Sequence, residues 1–376
     1  MTERDRLPFL PVVDQNLVQA HARSHAELDS LLSSCDPAVA RVFLSFATDI
    51  ACAAIAGIPP SFRNGRSPML LPVPRAFLCS DDQARMSGVH AGLQYVDSRL
   101  AMVTQGYETA ALRSESPYVL HALAEGRMDN PLITNPGMTR ATPVRQTAGK
   151  FTYPEPSEVR GLFDEAVSRS IAERAPACVR AAWLLFTTVF IHPFCDGNGR
   201  VSRLLYLLVS GEELPSGIDL GVAEQWGERL EAFQNIPGRI SHLDGELDLS
   251  DLVAFVIRAS VDGARLMKAR IGVLEALHEQ IACVAGDASR VPAAVLAVAL
   301  RRIATVRAVA SDIDTPYDET LSVVSGAANA GFLRRVSLPA SRRTIEPPSA
   351  TFALGPKADS VMHSVIARSR RANVPW

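Results

Sequence analysis

Apolar residues recur at helical spacing over most of the chain, and that pattern predicts a mainly α-helical protein. Gln15–Leu32 and Pro37–Ile58 carry the period, and Asp81–Met102 repeats it with Met86, Val89, Leu93 and Val96 on one face. Between them, Pro59–Arg75 gathers prolines with Asn64, Gly65 and Arg66, the composition of a surface loop. A second irregular stretch runs from Asp129 to Pro156, where turn residues flank Thr139–Gln146 and Lys150–Tyr153; a small β-hairpin is expected there. Helical periodicity returns at Ser157–Ile171 and is strongest at Ala175–Ile191, whose Val179, Ala182, Trp183, Leu185, Phe186 and Val189 leave little polar surface. Gly197 and Gly199 interrupt it, and Val201–Val209 starts another apolar helix. Leu249–Leu266 is amphipathic and leads into Met267–Val284, which reads as a connecting helix. After a polar break at Gly286–Arg290, helices are expected at Val291–Ala304, Val306–Asp312 and Thr315–Ala330, followed by an extended tail from Phe332 to Ala353.

A chain of 376 residues with 47% hydrophobic composition can build two or three cores. Charged residues at 21% and aromatics at 6% exclude a disordered chain, a collagen-like one and a surface dominated by base-stacking rings. The net charge of −2 conceals a split. From Arg290 onward there are 12 basic and 6 acidic residues, while 26 basic and 34 acidic residues precede it. A basic C-terminal module on an acidic body suggests two tasks. The six cysteines stand at wide spacing without a CxxC pair, which points to reduced thiols rather than a zinc knuckle or disulfide framework. Met1–Leu10 lacks an apolar signal-peptide core, and the apolar stretches Ala181–Ile191 and Val291–Leu300 are short for a bilayer. A cytoplasmic protein without membrane partners is therefore expected.

The chemistry concentrates in Ile191-His192-Pro193-Phe194-Cys195-Asp196-Gly197-Asn198-Gly199-Arg200-Val201-Ser202-Arg203. A glycine-bearing loop opening onto a helix N-terminus offers backbone N–H groups and the positive end of the helix dipole to phosphate. Arg200 and Arg203, three apart, share a face and can reach one anion. Asp196 among anion binders is best explained as a Mg²⁺ ligand, and His192 at the preceding helix end can accept a hydroxyl proton. Base, metal carboxylate, phosphate nest and two Arg clamps describe transfer from a nucleotide to a hydroxyl.

At these residues the chain resembles the Fic family, whose signature His-Pro-Phe-x-(Asp/Glu)-Gly-Asn-Gly-Arg-x-x-Arg is matched at every fixed position from His192 to Arg203. The resemblance implies an all-helical core, with ATP and Mg²⁺, that transfers AMP to a Ser, Thr or Tyr hydroxyl of a target protein. It further implies His192 as general base, Phe194 as apolar anchor, Asp196 as Mg²⁺ ligand, and Gly197, Asn198, Gly199, Arg200 and Arg203 as the ATP-binding set. Related phosphotransferases carry Ala-Asn-Lys where this chain has Gly-Asn-Gly, which favours nucleotidyl transfer. Thr134–Tyr153, including Thr139, Arg140 and Val144, resembles the family's flap, a hairpin that clamps the target by strand addition. Two other classes stand beside this reading: a nucleotide-sensing DNA-binding transcriptional regulator, and a Fic enzyme that removes AMP or transfers UMP or phosphocholine.

The family's inhibitory helix carries a Glu that pairs with the second motif Arg. In the N-terminally extended branch, aligned on Ile55, Gly57 and Ile58, that Glu is replaced here by Ala56 and the leading Ser by Cys52. Weakened autoinhibition follows from that alignment, unless Glu125 beside Gly126, a second copy of the chain or a separate inhibitory partner supplies the carboxylate. Trp226 reads as a packing residue ahead of an adenine wall, Cys195 as a small side chain packed under the loop, and Arg301–Arg302 as a solvated face. The C-terminal order of helices followed by Gly331-Phe332-Leu333-Arg334-Arg335-Val336 resembles a winged-helix module, for which duplex DNA binding and a protein-interaction or dimerisation role are both open. The expected partition is an N-terminal extension at 1–125 with a degenerate inhibitory helix near 45–58, a Fic core at 126–265, a connecting helix at 266–290, and a winged-helix-like domain with tail at 291–376.

Overall fold

The helical periodicity becomes helices at α1 (Gln15–Ser34), α2 (Pro37–Ala56), α3 (Ser80–Thr104), α4 (Ser116–Glu125), α5 (Pro156–Ala172), α6 (Ala177–Ile191), α7 (Asn198–Ser210) and α8 (Leu220–Glu228). A short antiparallel ladder follows, β1 (Ser241–Leu243) against β2 (Glu246–Asp248), and then α9 (Ser250–Ala285). The C-terminal elements are α10 (Val291–Arg301), β3 (Ile303–Thr305), α11 (Val306–Ile313), α12 (Tyr317–Asn329), β4 (Leu333–Val336), β5 (Thr351–Leu354) and α13 (Pro356–Arg371). The structure, a computed structural model, describes residues 7–58, 80–128, 130, 133, 135–144, 153–215, 217–228, 241–243, 246–285, 290–301, 303–336 and 350–371.

Contacts divide the chain into two units, one of Met1–Asp29, Ala51–Pro59 and Cys79–Ala264, the other of Ser30–Ile50, Pro60–Leu78 and Arg265–Trp376. In the first, α6 is the central helix, buried at every residue except Val189, so its continuous apolar sequence reflects burial on all sides. Helix α7 packs on α6, α4 and α3 through Val201, Leu204, Leu205 and Leu208, all fully buried. Trp226 is also buried and meets the Tyr206 ring edge-on at 5.3 Å, as a packing residue would.

In the second unit, β3, β5 and β4 form an antiparallel sheet in that order, pairing Thr305 with Thr351 and Arg334 with Ala353. Arg301 is here an interior ion-pair centre, which corrects its reading as part of a solvated face. Its guanidinium donates to both Asp312 carboxylate oxygens at 2.7 Å and to Asp49 at 2.6 Å, and Ser45 adds a hydrogen bond to Asp312.

Three differences from the sequence pattern have physical causes. The expected connecting helix is continuous with the amphipathic helix before it, because no proline or left-handed residue interrupts Ser250–Ala285. Helix α4 was not expected; Pro117 falls in its first turn, where a proline starts a helix rather than breaks it. The extended stretch Phe332–Ala353 holds β4 and β5, with 337–349 outside the described residues, and the helix α13 beyond it was not expected because its many polar positions mask its period. Of the expected hairpin, 145–152 lie outside the described residues, and 139–144 contain no strand. Helix α2 is long and apolar enough to cross a membrane, which the sequence reading did not single out; half of that stretch is buried inside the protein and its Asp49 is ion-paired.

Candidate active site

Helix α6 ends where His192 adopts φ 51° and ψ 59°, one of two described non-glycine residues in the left-handed region. A side chain held there is strained by of order 1 kcal/mol or more, and such positions concentrate at functional sites. The turn releases the chain into the Pro193–Gly197 loop, which is closed by two reciprocal hydrogen bonds. Asn198 Oδ1 accepts from the Phe194 N–H at 2.9 Å, and Asn198 Nδ2 donates to the Phe194 carbonyl at 2.8 Å. Phe194 is fully buried, stacked on His121 at 3.9 Å and edge-on to Phe163 at 5.8 Å. Gly197 then takes φ 81° as the N-cap of α7; its carbonyl accepts from the Arg200 and Val201 N–H groups, and those of Asn198 and Gly199 at the helix start have no intrahelical partner. That is a phosphate-type cradle.

The loop is wired to two distant segments. His121 accepts from the Gly137 N–H through Nδ1 at 2.7 Å and donates through Nε2 to the Asp196 carbonyl at 3.2 Å, which fixes one neutral tautomer. Burial pushes its pKa down to about 4. Arg140, itself buried, donates to the His192 carbonyl at 2.8 Å, to Thr142 at 3.1 Å and to Pro154 at 2.6 Å, while its own N–H reaches the Pro193 carbonyl at 2.8 Å. Of the three residues assigned to the expected flap, Arg140 therefore touches the loop. Thr139 and Val144 lie on the irregular segment beside it.

His192 is half-buried, with Nδ1 enclosed and the Tyr153 ring 4.7 Å from its own. Burial lowers its pKa, opposed by the Val189 backbone; Arg140 lowers it further and Asp196 raises it. Asp196 is 43% exposed on its side chain; Oδ1 accepts from Gly197 N–H at 2.6 Å and Oδ2 from Asn130 at 2.9 Å. An ionised carboxylate has about four acceptor positions, so this one retains capacity for a metal ion, and its exposure provides the room. The residues present fit Mg²⁺. Cys195 is exposed, which corrects its reading as a side chain packed under the loop.

The two motif arginines have different partners. Arg200 forms a two-pronged pair with Glu125 through Nε to Oε1 and Nη2 to Oε2, the latter at 2.8 Å, and Glu125 is fully buried. The Glu125 carboxylate fits there only because Gly197 has no side chain: a Cβ at Gly197 would lie 2.5 Å from Glu125 Oε1. Arg203 donates through Nη2 to the Ile55 carbonyl at 2.9 Å and has no carboxylate partner among the described residues. Burial and the neighbouring Arg200 lower its pKa to about 10. The end of α2 thus meets Arg203 with a backbone carbonyl, one residue before Ala56, which is buried. The candidate carboxylate Glu125 is present, but it pairs with Arg200 and not with Arg203.

The Fic/DOC family model matches residues 118–210, from the first turn of α4 to the end of α7. These residues are a Fic/DOC-family domain. Fic-family proteins generally transfer a nucleotide or another group to proteins. The chain is similar in fold to a Fic family protein from Desulfovibrio desulfuricans, at 15% identity and TM-score 0.51 over 93% of this chain and 98% of that one. It also matches a Fic-domain signalling protein from Bacteroides thetaiotaomicron at 17% identity, 67% and 98% coverage and TM-score 0.49. Fic-1 from C. elegans matches at 20% identity, 68% and 70% coverage and TM-score 0.42. In this Fic domain, the residues that sequence reading assigned from His192 to Arg203 lie on one loop and helix start. His121 and Arg140, which position that loop, had no local signal as loop-positioning residues, since their partners stand 75 and 52 residues away.

Proposed function

We propose that the protein is an adenylyltransferase that moves AMP from ATP to a Ser, Thr or Tyr hydroxyl of a target protein. The observation that carries this reading is the juxtaposition of the left-handed His192 with the open N-terminus of α7 across the Asn198-locked loop. His192, kept neutral by burial, accepts the proton of the attacking hydroxyl as its oxygen bonds to the α-phosphorus and the bond to the β-phosphate breaks, releasing pyrophosphate. The N–H groups at the start of α7 stabilise charge on the phosphates, and the guanidinium of Arg203 adds cationic charge from the second turn of that helix. Arg200, oriented by Glu125 through Nε and Nη2, keeps its Nη1 donors for the same anion. Mg²⁺ held by Asp196 would neutralise phosphate charge when bound.

Autoinhibition is weak in this reading, because Arg203 meets a carbonyl where a carboxylate brake would stand. The experiment is incubation of purified protein and host lysate with ATP and Mg²⁺, followed by mass spectrometry for a hydroxyl-linked AMP. The expected result is AMP on protein hydroxyls, lost by at least about 100-fold in His192→Ala, which removes the base. Ala56→Glu is expected to slow the same transfer. No AMP adduct, alongside adducts from UTP or CDP-choline, overturns the donor assignment.

A further inference from the structure

A second cluster of chemistry-bearing side chains lies in the same unit, away from the loop of His192. His21 and His25, four apart on α1, share a face and are both buried, at 4% and 1% exposure. Opposite them stands Asp219, whose carboxylate is fully enclosed. One ligand-capable atom from each of these three residues lies within 4.8 Å of the other two. Ser260 of α9 joins the group: its hydroxyl is 2.9 Å from His25 Nε2 and donates to Asp219. Tyr206 of α7 donates to the same carboxylate at 3.5 Å, and Asp219 Oδ1 caps α8 by accepting from the Val222 N–H at 3.1 Å.

Two features of this cluster are left unexplained by its protein contacts. Among the described residues no Arg or Lys pairs with Asp219, and His25 Nε2 stands 3.6 Å from this buried carboxylate. His21 Nε2 and His25 Nδ1 are also buried without a hydrogen-bond partner. Each enclosed, unsatisfied polar nitrogen costs about 1–3 kcal/mol. A dication bound to the cluster would offset the carboxylate charge and use imidazole lone pairs in one step.

We propose that His21, His25 and Asp219 bind one divalent transition-metal ion of the zinc class, as a site separate from the nucleotide loop. Two imidazole nitrogens and one carboxylate oxygen suit Zn²⁺ and exclude a preference for Mg²⁺ or Ca²⁺, which favour oxygen donors. Ligand atoms on tetrahedral zinc stand ~3.4 Å apart, so small side-chain rotations close the set. The Ser260 hydroxyl or one water completes four-coordination. With every ligand buried, the site staples α1 to α8 and α9 and has no opening for a substrate. The backbone is already committed to this geometry: α8 and α9 touch through Gly221 and Gly263, where a Cβ on Gly263 would come within 2.3 Å of the Gly221 carbonyl carbon.

The test uses full-length protein without a histidine tag, stripped by chelator and then titrated with Zn²⁺ or Co²⁺. Expected are one zinc per chain by elemental analysis, a melting temperature that rises with Zn²⁺, and a Co²⁺ absorption spectrum free of thiolate charge transfer. His21→Asn and Asp219→Asn, checked for fold by circular dichroism, should each lose zinc affinity by about 100-fold or more, whereas Cys195→Ser and Cys283→Ser should keep it. The Co²⁺ spectrum needs no variant, so it decides the case even if the substitutions unfold the chain. Substoichiometric zinc with an unmoved melting temperature, or a thiolate signature, overturns the proposal and leaves His25, Ser260 and Asp219 as a plain buried hydrogen-bonded cluster. Loss of AMP transfer in His192→Ala has no bearing on any of these readouts.

Discussion

His192 combines three properties that one residue rarely holds: a left-handed backbone, an enclosed ring nitrogen and a position facing the start of a helix. Its pKa is lowered, first by burial, so the sign of the pH effect is fixed. The base is neutral above its folded pKa, and activity falls only as the pH drops through that value. The acid limb of kcat/KM for AMP transfer should therefore have its midpoint below the ordinary histidine value of about 6.5, measured as initial rates on a fixed target. A midpoint at or above that value would show that the ring is not desolvated in the working enzyme. Residues of this kind were legible from sequence because His192 to Arg203 form one contiguous pattern whose spacing reports a loop and a helix start. Glu125, His121 and Arg140 act on that loop from 52 to 75 residues away, and only folding shows which atoms they satisfy.

At the scale of elements, α4 determines how the motif helix is presented. Its last residue, Glu125, reaches across Gly197 to hold the Arg200 guanidinium, and both groups are largely out of water. Removing one partner of a buried pair costs about 3–5 kcal/mol, because the other charge is left uncompensated. Glu125→Ala should lower the melting temperature of the nucleotide-free protein, and ATP should then raise it by more than it does in the parent chain, since phosphate replaces the lost carboxylate. Thermal melts with and without ATP–Mg²⁺ measure both numbers. An equal ATP-induced shift in the two proteins would mean that Arg200 contributes to folding alone and never meets the nucleotide. The helices whose apolar stripe is regular, such as α3 and α5, were readable from periodicity. Helix α4 was hidden by its shortness and its initial proline, and α13 by its polar surface.

For the molecule as a whole, the charge split along the chain was the first sign of two tasks, and the structure changes what it means. Two of the basic residues from Arg290 onward are already committed. Arg301 is enclosed by Asp312 and Asp49, and Arg290 pairs with Glu319 in the first turn of α12. That turn also carries Asp318, so the end of the helix that would enter a major groove is acidic. Exposed basic side chains on the described sheet come down to Arg334 and Arg335 of β4. On that balance we propose that the C-terminal residues serve protein interaction rather than sequence-specific DNA binding. Duplex DNA affinity at physiological salt should then be no tighter than the non-specific range of about 1 μM or weaker. The dependence of log K on log salt should have a slope near about −2, as two phosphate contacts give. Fluorescence anisotropy with random and genomic duplexes across a salt series measures both quantities. Nanomolar binding to a particular sequence would reverse the assignment and put the positive charge of the tail to use against DNA, with the Arg334–Arg335 pair as the first residues to neutralise.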